Sequence, residues 1–107
     1  MRISVISPSF NQAQFLPDNL RTVSGQTGVD LEHILVDPGS TDGSLELAKA
    51  AKHAILIAEP DRGQSHGITK GFERCTGDVM TWLNSDDFYP SPDTLKKVMD
   101  AFEANPD

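Results

Sequence analysis

The segment Leu31-Glu32-His33-Ile34-Leu35-Val36, then Asp37-Pro38-Gly39-Ser40-Thr41-Asp42-Gly43, then Ser44 to Lys52 and finally Ala54-Ile55-Leu56-Ile57-Ala58 decides how this chain folds. Leu31 to Val36 is a short apolar run of the kind that forms a buried strand. The glycine-flanked turn from Gly39 to Gly43 breaks it and feeds a helix from Ser44 to about Lys52. Ala54 to Ala58 returns to strand and is punctuated by Pro60. A strand, a helix and a second strand in such close succession make a βαβ crossover, which sets the strands parallel and the helix on one face of the sheet.

The same alternation continues on either side. Arg2 to Ser7 is β-rich and stops at Pro8, which cannot donate to a ladder. From about Gln14 to Val23 the apolar residues Phe15, Leu16, Leu20 and Val23 recur at helical spacing, with Pro17 in the first turn, where a missing N–H is tolerated. A third helix spans about Gln64 to Arg74 and is closed by the Thr76-Gly77 break. Asp78 to Leu83 forms a fourth strand, Asn84 to Asp87 a loop, and Asp93 to Ala104 an amphipathic helix with Leu95, Val98, Met99 and Phe102 on one face. The expected fold is α/β, a Rossmann-like parallel sheet of about four strands with helices on both faces, in a single domain over residues 1–107. Phe72 and Trp82 read as core. No repeat, linker or low-complexity tract interrupts the pattern.

The chain has 107 residues, 37% of them hydrophobic and 23% charged, which suits a folded domain and not a disordered segment. Its net charge of −7 argues against a nucleic-acid surface, because phosphate backbones recruit Lys and Arg. It does not exclude a nucleotide, whose phosphates can be neutralised by a cation held on carboxylates. Cys75, a lone cysteine, has no intrachain disulfide partner and reads as a partly buried small hydrophobe. The first residues carry no signal-peptide pattern, and no run approaches the roughly 20 apolar residues of a membrane span, so a cytoplasmic protein is expected.

In parallel sheets of this kind, ligands bind outside the carboxyl ends of the strands. The polar signals of this chain fall there: Ser7-Pro8-Ser9, Asp37, Glu59-Pro60-Asp61-Arg62 and Asp86-Asp87. Two adjacent carboxylates leaving a buried strand repel one another unless a cation offsets the repulsion. Mg²⁺ and Mn²⁺ prefer such oxygen ligands and keep positions free for phosphate oxygens. Arg62 has the forked donors that suit a phosphate. Asp37 is placed either to accept from a base N–H or to hold its own turn. Asp42 reads as a cap for the following helix, His66 as a polar helix residue, and Lys70 as an exposed lysine or a support for the loop beneath the site. Phe10 follows a strand end and is open to stacking on a ring.

Taken in order, four blocks carry a resemblance: Val5-Ile6-Ser7-Pro8-Ser9-Phe10-Asn11, Val36-Asp37-Pro38-Gly39-Ser40-Thr41-Asp42-Gly43, Glu59-Pro60-Asp61-Arg62-Gly63-Gln64-Ser65 with Lys70-Gly71, and Thr76-Gly77-Asp78 with Asn84-Ser85-Asp86-Asp87. Their sequence and spacing resemble the family-2 glycosyltransferases of GT-A type. The resemblance implies the nucleotide-sugar-binding half of a GT-A fold, a nucleoside-diphosphate sugar donor with uridine as the expected base, a divalent metal (Mn²⁺ or Mg²⁺), and transfer of the sugar with inversion. It places Ser7, Ser9, Phe10, Asp37, Asp61, Arg62 and Asp86 around the nucleotide. Asp87 is the implied metal ligand, with Asp86 beside it at metal or ribose.

Two departures follow from the same comparison of motifs. Many members carry a second acid where this chain has Pro38, so Asp37 alone bears that assignment. Inverting transfer also needs a general base, which the resemblance places downstream of the metal motif with the acceptor-binding region; Asp86 and Asp87 are not assigned that role. The expectation is a donor-binding half-domain without its own base, whose uncovered sheet edge favours self-association. A non-catalytic nucleotide-sugar-binding or regulatory module is the alternative. A receiver domain would need its acid pair after the first strand, and a dinucleotide binder would need a Gly-x-Gly-x-x-Gly turn where this chain has Asn11-Gln12-Ala13-Gln14.

Overall fold

All three strand pairings of the sheet are parallel, as the crossovers require. In this computed structural model, which describes residues 2–104, β1 (Arg2–Pro8), β2 (Asp30–Asp37), β3 (Ala54–Ala58) and β4 (Val79–Trp82) alternate with α1 (Leu16–Ser24), α2 (Ser44–Ala50), α3 (Gln64–Arg74) and α4 (Thr94–Ala104). The strand order is β3-β2-β1-β4. The chain winds outward from β1 through β2 to β3, then returns across β1 to place β4 on its other side. This reversal creates a switch point between β1 and β4, where the crossovers diverge and leave a crevice at the carboxyl end of the sheet.

Side chains alternate across each strand, and the alternation sorts the core into two layers. Ile3 and Val5 of β1 point to one face, where they meet Val23 of α1 and Leu95 and Met99 of α4. On the same face, Leu35 of β2 packs with Leu16 and Leu20 of α1 and Ala48 of α2. Ile6, Ile34 and Val36 point the other way, toward Phe72 of α3. Ile3, Val5, Ile6 and Ile34 are fully buried, and each such side chain contributes about 1.5–3 kcal/mol of transfer free energy. α1 begins with Pro17 in its first turn and ends at Gly25, matching the expected tolerance for proline at that place.

Two apolar assignments are corrected. Trp82 is 56% exposed and is not core; neither is its neighbour on the same face, Met80. Ile6, the register partner of Trp82, lies under α3, but α3 packs over β1 and β2 and leaves that side of β4 uncovered. On α4 only Leu95 and Met99 are buried, whereas Val98 and Phe102 are exposed. No helix among the described residues is long and apolar enough to cross a membrane.

Below the rim, Glu32 ties three elements together. Its Oε2 accepts from the Ser4 hydroxyl at 2.8 Å and from both the amide and the hydroxyl of Thr76. Burial raises its carboxyl pKa, but the Thr76 and Ser4 bonds and the Arg2 charge outweigh that and hold it below the usual range.

Candidate functional site

The loops above the sheet are held by hydrogen bonds that extend its ladder. Ser9 N donates to Val36 O at 2.9 Å, Glu59 N to Asp37 O at 3.1 Å, Leu83 N to Ile6 O at 2.8 Å and Ser85 N to Pro8 O at 3.3 Å. The four carboxyl-terminal loops are therefore registered to one another before any ligand arrives.

The loop after β1 is fastened to the turn after β2. Asn11 adopts the left-handed backbone (φ 53°), a conformation that asparagine tolerates better than most residues. Its Oδ1 accepts from Thr41 N at 2.9 Å, and its own amide donates to Ser40 Oγ at 2.9 Å. Gln12 N and Ala13 N donate to Ser44 Oγ and Asp42 Oδ2. Asp42 acts one residue ahead of the expected cap: Gly43 opens α2 with φ 98°, and Asp42 Oδ1 accepts from the amide and hydroxyl of Ser44. The Ser44 hydroxyl and the Ala13 amide hold the Asp42 carboxyl below its usual range.

Asp37 is only 2% exposed and its carboxylate is engaged by its own turn. Oδ1 accepts from Gly39 N and Ser40 N, both at 2.8 Å, and Oδ2 from the Ser40 hydroxyl at 2.6 Å. Of the two roles open to it, the structure displays the turn carboxylate.

On the loop after β3, Asp61 Oδ1 accepts from Gly63 N at 2.9 Å, and a side chain on Gly67 of α3 would come within 3.0 Å of its Oδ2. Lys70 is not an exposed lysine. Its Nζ donates to Pro60 O and lies 3.2 Å from Glu59 Oε1, pinning the loop from below. Arg62 N donates to His66 Nδ1 at 2.8 Å, so His66 also holds this loop.

These loops enclose a cleft of about 570 Å³, lined by Pro8, Ser9, Phe10, Gln12, Val36, Pro38, Asp61, Gly63, Gln64, Asn84, Ser85 and Asp86. Of the residues singled out from sequence, Ser9, Phe10, Asp61 and Asp86 line it. Ser7, Asp37, Arg62 and Asp87 do not: Ser7 is buried beneath it, Asp37 is inside its turn, and Arg62 and Asp87 are exposed beside it. Gln12, Gln64 and Asn84 were missed. Gln64 Nε2 donates to Asn84 Oδ1 at 2.7 Å, closing one side of the cleft. Both lie inside the motifs already quoted, but polar amides carry no spacing signal of their own.

The charge of the lining is one-sided. Asp61 and Asp86 are its ionisable residues, and no Lys, Arg or His is among them. Ser9 Oγ is buried and has no hydrogen-bond partner among the described residues. The carboxylates of Asp86 and Asp87 are exposed, and among the described residues neither has a hydrogen-bond or ion-pair partner. No group of three or more His, Cys, Asp or Glu that could enclose a metal occurs among the described residues. A carboxylate pair of this kind fits a hard divalent cation that draws its remaining oxygens from phosphate and water, and it does not fit an all-protein cage.

Comparison with known proteins identifies the family. The family model described as "Glycosyl transferase family 2" matches residues 4–107. An uncharacterised glycosyltransferase of Nostoc sp. is 34% identical over 110 residues, covering 98% of this chain and 34% of the relative. A PGL/p-HBAD biosynthesis glycosyltransferase of Mycobacterium bovis is 34% identical over 100 residues, covering 89% of this chain and 39% of the relative. Among solved structures, the mannosyltransferase PcManGT from Pyrobaculum calidifontis, in complex with GDP-Man and Mn²⁺, superposes with a TM-score of 0.86 at 25% identity, covering 94% of this chain and 32% of that one. S. aureus TarS in complex with UDP-GlcNAc has the same fold (TM-score 0.88, 20% identity, 99% and 32% covered). The chain spans about a third of the length of the curated relatives that it matches.

Proposed function

The chain belongs to glycosyl transferase family 2, and on that premise we propose that its cleft binds a nucleoside-diphosphate sugar through a divalent metal held by Asp87 and Asp86. One observation carries this reading: the cleft contains Asp61 and Asp86 but no cationic side chain. A diphosphate entering it would meet carboxylates and no cation within the lining, an arrangement that is unfavourable without a metal between them. The unpartnered carboxylates of Asp86 and Asp87 fit the site of that metal. When bound, the ion would stabilise charge on the departing diphosphate without moving a proton.

The chain's own residues supply the rest. Ser9 Oγ, buried and unpartnered, offers a hydroxyl to the ligand. Phe10, 57% exposed at the cleft wall, offers a ring face to the base. Asp61 holds its loop and lines the cleft near the nucleotide, and Arg62 stands outside with its guanidinium free to meet a phosphate. Asp37 acts through the turn that it stabilises, and Ser7 through the polar contacts beneath the floor. In the whole protein the sugar is transferred with inversion. The manganese and guanosine-diphosphate sugar bound by PcManGT support the metal and donor classes; uridine is the base expected from the family resemblance.

Isothermal titration with UDP and with GDP, each with and without Mn²⁺, tests the proposal. Binding that tightens on adding manganese is expected. No binding to either nucleotide, or binding indifferent to the metal, would refute it.

A further inference from the structure

Asn19 lies within α1 and is fully buried. Its Nδ2 is 3.2 Å from Asn84 O, 3.3 Å from Asp87 O and 3.4 Å from Ser7 Oγ. The two carbonyls bracket Ser85 and Asp86, and Asn84 O also accepts from Asp87 N at 2.9 Å. One side-chain amide thus joins both ends of the turn that carries the acidic pair. The opposite atom, Oδ1, is buried with no partner among the described residues, although an unmade bond of this kind is ordinarily avoided. Flipping the amide would set its oxygen against two carbonyl oxygens, so those carbonyls fix its orientation.

The amide is backed by a polar chain through the interior. Ser7 Oγ lies 2.8 Å from His33 Nε2, and His33 Nδ1 lies 3.3 Å from His53 Nε2, with the two rings stacked. Burial, and then the neighbouring His53, lower the His33 pKa to about 3, so the ring is neutral. A neutral His33 can accept the Ser7 hydrogen at Nε2 and donate from Nδ1 to His53, which leaves Ser7 Oγ to accept from Asn19.

We propose that Asn19 is a positioning residue for the acidic pair, clamping the Asn84–Asp87 turn from below so that Asp86 is held in the cleft lining and Asp87 at its rim. The proposal rests on the reading of that cleft as a metal-diphosphate site. A buried polar group that only filled space would face apolar surroundings or be satisfied at both of its ends. This one leaves its oxygen unsatisfied to donate to the two carbonyls of a single exposed turn.

The test compares the wild-type chain with Asn19→Leu, which keeps the branched skeleton without the donor, and Asn19→Asp, which is isosteric and presents oxygen to the carbonyls. Two quantities are read: the gain in UDP affinity on adding Mn²⁺, and metal-free hydrogen exchange at the Ser85, Asp86 and Asp87 amides. Loss of support for a metal ligand is expected to cut the manganese-dependent gain by about 10–100-fold, with little change in UDP affinity without metal and with faster exchange in the turn. Gly71→Ala, a destabilising change in α3, controls for stability and should keep the gain. Asn19 variants that keep the gain, or that leave turn exchange unchanged, overturn the proposal alone. A wild-type chain with no manganese-dependent gain removes the reading of the cleft and the proposal with it. If the leucine variant does not fold, the aspartate variant carries the same comparison.

Discussion

The side-chain amide of Gln64 lies 2.7 Å from the side-chain oxygen of Asn84, joining the first turn of α3 to the loop after β4 across one side of the cleft. The two residues are twenty positions apart, one at the start of α3 and one just after β4. Gln64→Ala removes an exposed neutral bond, worth about 0.5–1.5 kcal/mol. UDP binding measured by titration in Mn²⁺ is expected to weaken by about two- to tenfold, with the melting temperature lowered by no more than about 8 °C.

Close packing of α3 makes a second expectation. A side chain on Gly71 would meet Ile6 Cγ2 at 2.5 Å and Cγ1 at 2.8 Å, in the middle of the sheet. Overpacking of this kind costs about 1–3 kcal/mol, partly offset by alanine's better helix propensity of roughly 1 kcal/mol. Gly71→Ala should therefore lower the midpoint of urea unfolding. Gly67→Ala meets the carboxylate of Asp61 at 3.0 Å and Val36 Cγ1 at an ordinary 3.5 Å. It should cost less stability and displace Asp61, reducing nucleotide affinity instead.

Much of this architecture is legible in the sequence because the signals are local and periodic. Ala54–Ala58 and Gln64–Arg74 occupy their expected bounds, where apolar runs meet Pro60 and the Thr76-Gly77 break. What stayed hidden depends on which neighbour covers a face. Trp82 is apolar and in a strand, yet α3 does not reach it, and no property of Trp82 itself records that. At the site, the acidic pair and its place after β4 are visible, because strand ends and charge can be read directly. Lys70 as a loop support was one of two readings open to it, and the Pro60 carbonyl and Glu59 decide between them; Asn19 was hidden, because it acts on backbone carbonyls, which every residue possesses.

Acid sensitivity should begin above the carboxylate range. His33 has its folded pKa lowered from 6.5 to about 3, and burial lowers that of His53 too. The unfolded chain binds these protons first, so their contribution is complete above about pH 6.5 and declines as pH falls below it. His33 alone gives a slope of about 1.4 kcal/mol per pH unit in that range. Glu32, whose folded pKa is also lowered, adds to the loss below about pH 4.5. Urea unfolding at stepped pH should show the decline between pH 6.5 and 4.5, and His33→Gln should flatten it.

The carboxylates of the acidic pair should be separable from the rest of the cleft. Asp86→Asn and Asp87→Asn keep shape and remove charge from side chains that have no partner among the described residues. Thermal unfolding of either variant should match the wild type within about 0.5 kcal/mol. Manganese-dependent UDP binding should fall by an order of magnitude or more for Asp87→Asn, the residue assigned as ligand.

The most direct measurement is the anomalous scattering of manganese in crystals of the chain grown with Mn²⁺ and UDP. The account predicts a manganese peak bonded to a carboxylate oxygen of Asp87 or Asp86 and to the diphosphate, with the base beside Phe10. Nucleotide bound in the cleft without manganese, or manganese bound away from both aspartates while their carboxylates face solvent, would contradict it.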